Sequence, residues 1–142
     1  MINSTIDNYF EMLNAHDLDG VMRSMTQNCE MRIPSSNFTY SGADALRTHL
    51  NEFLETFAVV NFHNYVVCAD TQSGGVGAYF DVHLTAHDGE QTNMNNANFF
   101  KLDEAGLITD ILIFASAPLI PTCTDYDPRA HLRRPMVMMR HG

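Results

Sequence analysis

The chain has 142 residues, 45% of them apolar, with 17 acidic and 8 basic side chains and a formal net charge of −9. That length suits one domain with a real core, and an 18% charged fraction with nine Phe and five Tyr is too hydrophobic for disorder. No apolar run approaches the roughly 20 residues that span a bilayer, and the acidic balance repels phosphate backbones, so neither membrane nor nucleic acid is an expected partner.

The amino terminus, MINSTIDNYF, lacks the basic start and apolar stretch of a secretory signal, which points to a cytoplasmic location. Ser4-Thr5-Ile6-Asp7 has the form of a capping box, and Ile6, Phe10 and Leu13 follow at the helical period with Tyr9 beside them. A first helix over about residues 4–15 is predicted. Asp17 caps a shorter second helix carrying Leu18, Val21, Met22 and Met25. Cys29–Ile33 and Phe38–Tyr40 read as short extended pieces broken by Pro34. A third helix is expected after Ser41, where Ser41-Gly42-Ala43-Asp44 repeats the capping form and Leu46, Leu50, Phe53, Leu54 and Phe57 make the apolar stripe.

After residue 58 the texture becomes β-branched and aromatic, punctuated by turn chemistry. Val59–Cys68, Val76–His87, Asn93–Leu102 and Leu107–Ala115 form four strands joined as consecutive hairpins. Three helices followed by an antiparallel meander predict an α+β fold whose sheet curls around the helices. Residues 1–117 make that domain. Residues 118–142, with Pro118, Pro121, Pro128, Pro135 and the basic Arg129, Arg133, Arg134 and Arg140, form an extension expected to pack on the domain or on a partner subunit. Within it, Pro135–Met139 is expected to be a hydrophobic docking segment, the alternative being a lid over the cavity mouth. Cys29, Cys68 and Cys123 are odd in number and lack a C-x-x-C spacing, so reduced thiols are expected.

The Asp88-Gly89 pair suits a two-residue hairpin, with His87 opposite Glu90 and Asp81 opposite Asn96. One face of that hairpin then holds Tyr79, Asp81, His83, Thr85, Met94, Asn96, Asn98 and Phe100, and the other Phe80, Val82, Leu84, Ala97 and Phe99. Composition alone puts the Phe80, Val82, Leu84 face on the core. The opposite assignment puts the polar groups in a cavity and leaves an apolar outer face for a second copy of the chain. His83-x-x-x-His87 imitates a zinc spacing, but on a strand the two lie about 13 Å apart, and no metal is expected.

The order of elements resembles the nuclear transport factor 2-like superfamily, which includes ketosteroid isomerases, scytalone dehydratase, bile-acid dehydratases and SnoaL-like polyketide cyclases. The residues that carry the resemblance are the first-helix phrase from Asp7 to Gly20, the Tyr40-Ser41-Gly42 entry to the third helix, and Phe100 to Ile108. It implies a cone-like fold with three helices in the concave face of a curved, mostly antiparallel sheet. Tyr9 is similar to the first-helix tyrosine that donates to a substrate oxygen, and Asn98 to the position of the second oxyanion donor. The triplet Asn96-Ala97-Asn98 resembles a Ser-Ala-Asn of scytalone dehydratase. His63 matches a pocket histidine of the dehydratase branch, and His83 falls near that branch's second acid–base residue. This alignment favours the assignment with Asp81 and His83 in the cavity. Two departures narrow the activity. Ile33 stands where the isomerases carry their aspartate base, and the meander has none of the arginine that the superfamily's epoxide hydrolases require.

The reading that follows is a cofactor-independent dehydratase, isomerase or cyclase acting on a small apolar oxygenated metabolite such as a polyketide, terpenoid or steroid intermediate. Tyr9 and Asn98 hold a carbonyl oxygen as enolate charge develops, while His83, His63 or Asp81 moves the proton. Asn96, Tyr79, Met94, Phe100, Phe53, Leu13 and Ile113 line the substrate. The expected assembly is a homodimer through the outer sheet face. The alternative is a non-catalytic binding or dimerisation module of the same fold.

Overall fold

A computed structural model describes residues 2–116, so the expected C-terminal extension, its Pro135–Met139 segment and Cys123 lie outside the described residues. Helices α1 (Ile2–Asn14) and α2 (Leu18–Met22) are followed by β1 (Met25–Ile33), a short 3-10 turn at Pro34–Ser36, β2 (Phe38–Ser41) and α3 (Ala43–Thr56). Four long strands complete it: β3 (Phe57–Asp70), β4 (Gly75–Ala86), β5 (Gln91–Leu102) and β6 (Ile108–Phe114). They make one six-stranded sheet in the order β2-β1-β6-β5-β4-β3, antiparallel except where β1 runs parallel to β6. The fold is α+β with its helices on one face, as the meander pattern implies. No helix among the described residues is long and apolar enough to cross a membrane.

The core forms where the two apolar helix stripes meet the inner sheet face. Ile6, Tyr9, Phe10 and Leu13 of α1 and Leu46, Leu50 and Phe53 of α3 are all buried, at the spacing that puts them on one side of each helix. Phe10 sits at the centre, its ring 4.6 Å from Phe80 and stacked on Tyr65 at 4.7 Å.

Local signals were used differently from expectation at three helix ends. α1 begins at Ile2, so Ser4 lies inside the helix and Thr5 Oγ1 donates instead to the Gly106 carbonyl at 2.8 Å. Asp17 does cap α2, accepting from the Gly20 amide at 2.9 Å, but that helix ends at Met22 and Met25 opens β1. Gly42 rather than Ser41 precedes α3, with no side-chain cap, and Ser41 Oγ donates to Glu30 on the neighbouring strand.

The main correction concerns the β4–β5 hairpin. Its loop has three residues, His87-Asp88-Gly89: the Ala86 amide donates to the Glu90 carbonyl at 2.8 Å, and Gly89 takes a φ of 93° that suits the bulge of such a loop. The odd loop shifts the pairing by one residue, so that Asp81 faces Asn95, Phe80 faces Asn96 and Ala78 faces Asn98. Strand β5 keeps the expected faces, whereas β4 is inverted. Val76, Ala78, Phe80, Val82 and Leu84 are buried, and Tyr79, Asp81, His83 and Thr85 point to the outer side.

Candidate functional site

Between α1, α3 and the inner sheet face lies a narrow cavity of about 20 Å³, room for about one water. Aromatic and aliphatic side chains make most of its wall, with Phe10, Leu13, Phe53, Phe62 and Ile113 among them. Four polar side chains interrupt that wall: Tyr9 from α1, His49 from α3, and Asn96 and Asn98 from β5. Each is almost completely buried, with relative exposures of 2%, 4%, 2% and 6% in that order. Strand parity puts both asparagines inward, because Asn96 and Asn98 alternate with the outward Asn95 and Ala97.

Their hydrogen bonding is incomplete. Asn96 Oδ1 accepts from the Ser116 amide at 3.3 Å, but Asn98 Oδ1 and His49 Nδ1 are buried without a partner. Buried polar atoms are rarely left so in a native fold, because each gives up its hydration for nothing in return. The His49 ring is held by stacking on Tyr40, centroids 4.1 Å apart and planes 20° apart. Burial pushes its pKa down to about 4, so the imidazole is neutral at pH 7. Burial also raises the Tyr9 phenol well above its ordinary value, which keeps it a neutral donor. Its ring packs edge-on against Phe100 at 5.3 Å. Cys29 is buried nearby on β1, its thiol pushed up to about 12 chiefly by burial, and such a thiol is a poor nucleophile.

The cavity therefore gathers Tyr9, Asn98, Asn96, Leu13, Phe53 and Ile113 of the residues expected from sequence. Met94 and Phe100 share the inner face as core residues beside it. His63, Asp81, His83 and Tyr79 do not join them. The one-residue shift of register puts Asp81, His83 and Tyr79 on the outer face, and His63, paired with Asp81 across β3 and β4, goes with them. There Asp81 accepts from Asn64 Nδ2 at 2.9 Å and Asn95 Nδ2 at 2.6 Å, while His83 Nδ1 meets Asn93 Oδ1 at 2.8 Å. His63, Asp81, Asn93 and Asn95 line a shallow outer groove of about 200 Å³. His49 was missed, although its signal is in the sequence: it lies three residues after Leu46 and four before Phe53, on the stripe that α3 turns inward.

The family model for the SnoaL-like domain matches residues 6–111. No curated protein matches the chain significantly. Among solved structures, a candidate polyketide cyclase from Xanthomonas campestris pv. campestris superposes with a TM-score of 0.73 at 19% identity, over 80% of this chain and 88% of that one. SalBIII, an epoxide hydrolase/cyclase-like enzyme of pyran ring formation in the polyether salinomycin, gives 0.72 at 18% identity, over 80% and 89%. An NTF2-like protein of unknown function from Cytophaga hutchinsonii gives 0.64 at 10% identity, over 81% and 89%. At such identities these likenesses speak for the fold, and with the family model covering most of its length this chain belongs to the SnoaL-like domain family.

Proposed function

We propose that the inner cavity is the site of a cofactor-independent dehydratase, isomerase or cyclase acting by enolate-type acid–base chemistry on a small, apolar, oxygenated molecule. The observation that carries this reading is the set of four buried polar side chains in an otherwise apolar, aromatic wall, two of them with an atom left unpartnered. A carbonyl compound suits that wall once the Asn98 amide presents its nitrogen. Its oxygen takes a hydrogen bond from the Tyr9 hydroxyl and, after a half-turn of the side-chain amide, from Asn98 Nδ2, while its hydrocarbon lies among the phenylalanines. The polyketide cyclase and cyclase-like names of the structural neighbours agree with such a substrate. His63, Asp81 and His83 are on the wrong side of the sheet for proton transfer here, so that role belongs to a group lining the cavity.

The alternative is a binding module of the same fold, and in either case an occupant must first displace wall side chains such as Leu50, Phe53 or Met31. Enolisation of a probe ketone separates the two. With 2-tetralone in D₂O, proton NMR should show the protein accelerating exchange at the carbon between ring and carbonyl, and Tyr9→Phe should lower that rate by about 10² to 10³ without unfolding the chain. Saturable binding with no acceleration would leave a binding module. The outer sheet face is the proposed contact for a second copy of the chain.

A further inference from the structure

We infer that His49 is the residue that takes and returns the substrate proton in this cavity. The inference rests on the enolate reading above and names its missing base. Among the described residues that line the cavity, only Tyr9 and His49 titrate, and Tyr9 is a phenol that burial holds protonated. Asn96 and Asn98 cannot exchange a proton at neutral pH. His49 has three properties that a base at this point needs. Its Nδ1 is buried and carries no partner, so nothing inside the protein competes for the incoming proton. The ring lines the cavity from a helix and is stacked on Tyr40, which restrains its movement. The imidazole is neutral before substrate enters, so its lone pair is free.

The step balances within the protein and one carbonyl compound. The C–H bond next to the carbonyl breaks and an N–H bond forms at Nδ1. The C–H electron pair becomes the new C=C bond, and the carbonyl π pair moves onto oxygen, where Tyr9 and Asn98 donate to it. The imidazolium and enolate then face each other in a site of low polarity, where their attraction offsets the desolvation that disfavours a charged His49 in the empty cavity. Return of the proton to a different carbon gives double-bond migration. Delivery to a hydroxyl on the next carbon breaks that C–O bond and releases water.

The same ketone distinguishes the failure of this assignment from the failure of the reading beneath it. In His49→Gln, 2-tetralone should still shift the NMR signals of the cavity residues, while exchange of its acidic proton falls by about 10² or more. His49→Ala should regain part of the lost rate when imidazole is added to the solution, since the truncated side chain leaves room for it. Wild-type exchange that is sensitive to Tyr9→Phe but unchanged in His49→Gln would overturn His49 and leave the enolate reading standing. No exchange in the wild type overturns both. A His49→Gln chain that does not fold is replaced by His49→Asn under the same two criteria.

Discussion

A neutral imidazole with an unpartnered nitrogen, held in an apolar wall, makes the stability of this fold depend on pH in a definite direction. The folded His49 pKa, about 4, lies below the ordinary value of 6.5. Between those limits the unfolded chain binds a proton that the folded chain refuses, so the stability tied to His49 is complete above about pH 6.5 and falls as the pH drops toward 4. The loss is on the order of 3 kcal/mol at most. Urea unfolding of the wild type and His49→Gln at pH 7 and pH 4.5 isolates it, since other groups titrate equally in both chains. The expected outcome is a smaller drop for His49→Gln; equal drops would show that His49 is not held neutral. At this scale much of the cavity lining was legible. Tyr9 and Asn98 were found because a tyrosine on a helix stripe and an asparagine at an inward strand position are detectable from periodicity and resemblance. His49 satisfied the same periodicity test but stood among leucines, where a lone histidine reads as part of the stripe.

Single side chains also hold the elements to one another. β3 is an edge strand, and backbone amide and carbonyl groups on its open side, away from β4, need partners other than a ladder. Asn14, the last residue of α1, supplies both: its Nδ2 donates to the Phe62 carbonyl at 3.0 Å and its Oδ1 accepts from the Phe62 amide at 2.7 Å. Asn14→Ala leaves the Phe62 amide without its acceptor, while the Phe62 carbonyl keeps the Tyr65 hydroxyl at 2.8 Å; it should cost about 1 to 3 kcal/mol in chemical denaturation, with loss of protection of the Phe62 amide in hydrogen exchange. The hairpin loop gives a second test. Gly89→Ala puts a Cβ where φ is 93° and should cost about 1 to 2 kcal/mol by the same measurement, while Asp88→Ala loses only the bond from the Glu90 amide. The element order and all four long strands could be read from sequence, because alternation and turn residues are local. The β4–β5 register could not. Asp-Gly is compatible with loops of two or three residues, and one residue of difference moves Asp81 and His83 together from the inner side of the sheet to the outer.

Inverting β4 changes the outer surface of the whole molecule as much as it changes the cavity. Phe80, Val82 and Leu84, once candidates for a dimer contact, are core, but a different apolar row replaces them. Val66, Tyr79, Ala97 and Phe114 are mutual neighbours across β3, β4, β5 and β6, and Phe99 lies beside the row opposite Gly77. Val66 is 61% exposed, and Tyr79, Phe99 and Phe114 are each about half exposed. The adjoining part of that face is polar, occupied by His63–Asp81–Asn95 and Asn61–His83–Asn93. Apolar surface left wet forfeits roughly 25 cal/mol for each Å², and a second copy related by a two-fold axis would cover the row with the same row of its own. Two bodies each carrying a net charge of −9 oppose that contact. Their repulsion is screened by salt, whereas the apolar contact is not weakened by it. Light scattering should therefore find a dimer at micromolar concentration whose dissociation constant tightens between 20 mM and 300 mM NaCl. Phe99→Asp should give a monomer at either salt with its circular dichroism spectrum retained, and Asp81→Asn, in the polar part, should change the dissociation constant far less. A wild-type chain that stays monomeric at high salt would mean that the row is not a contact between copies.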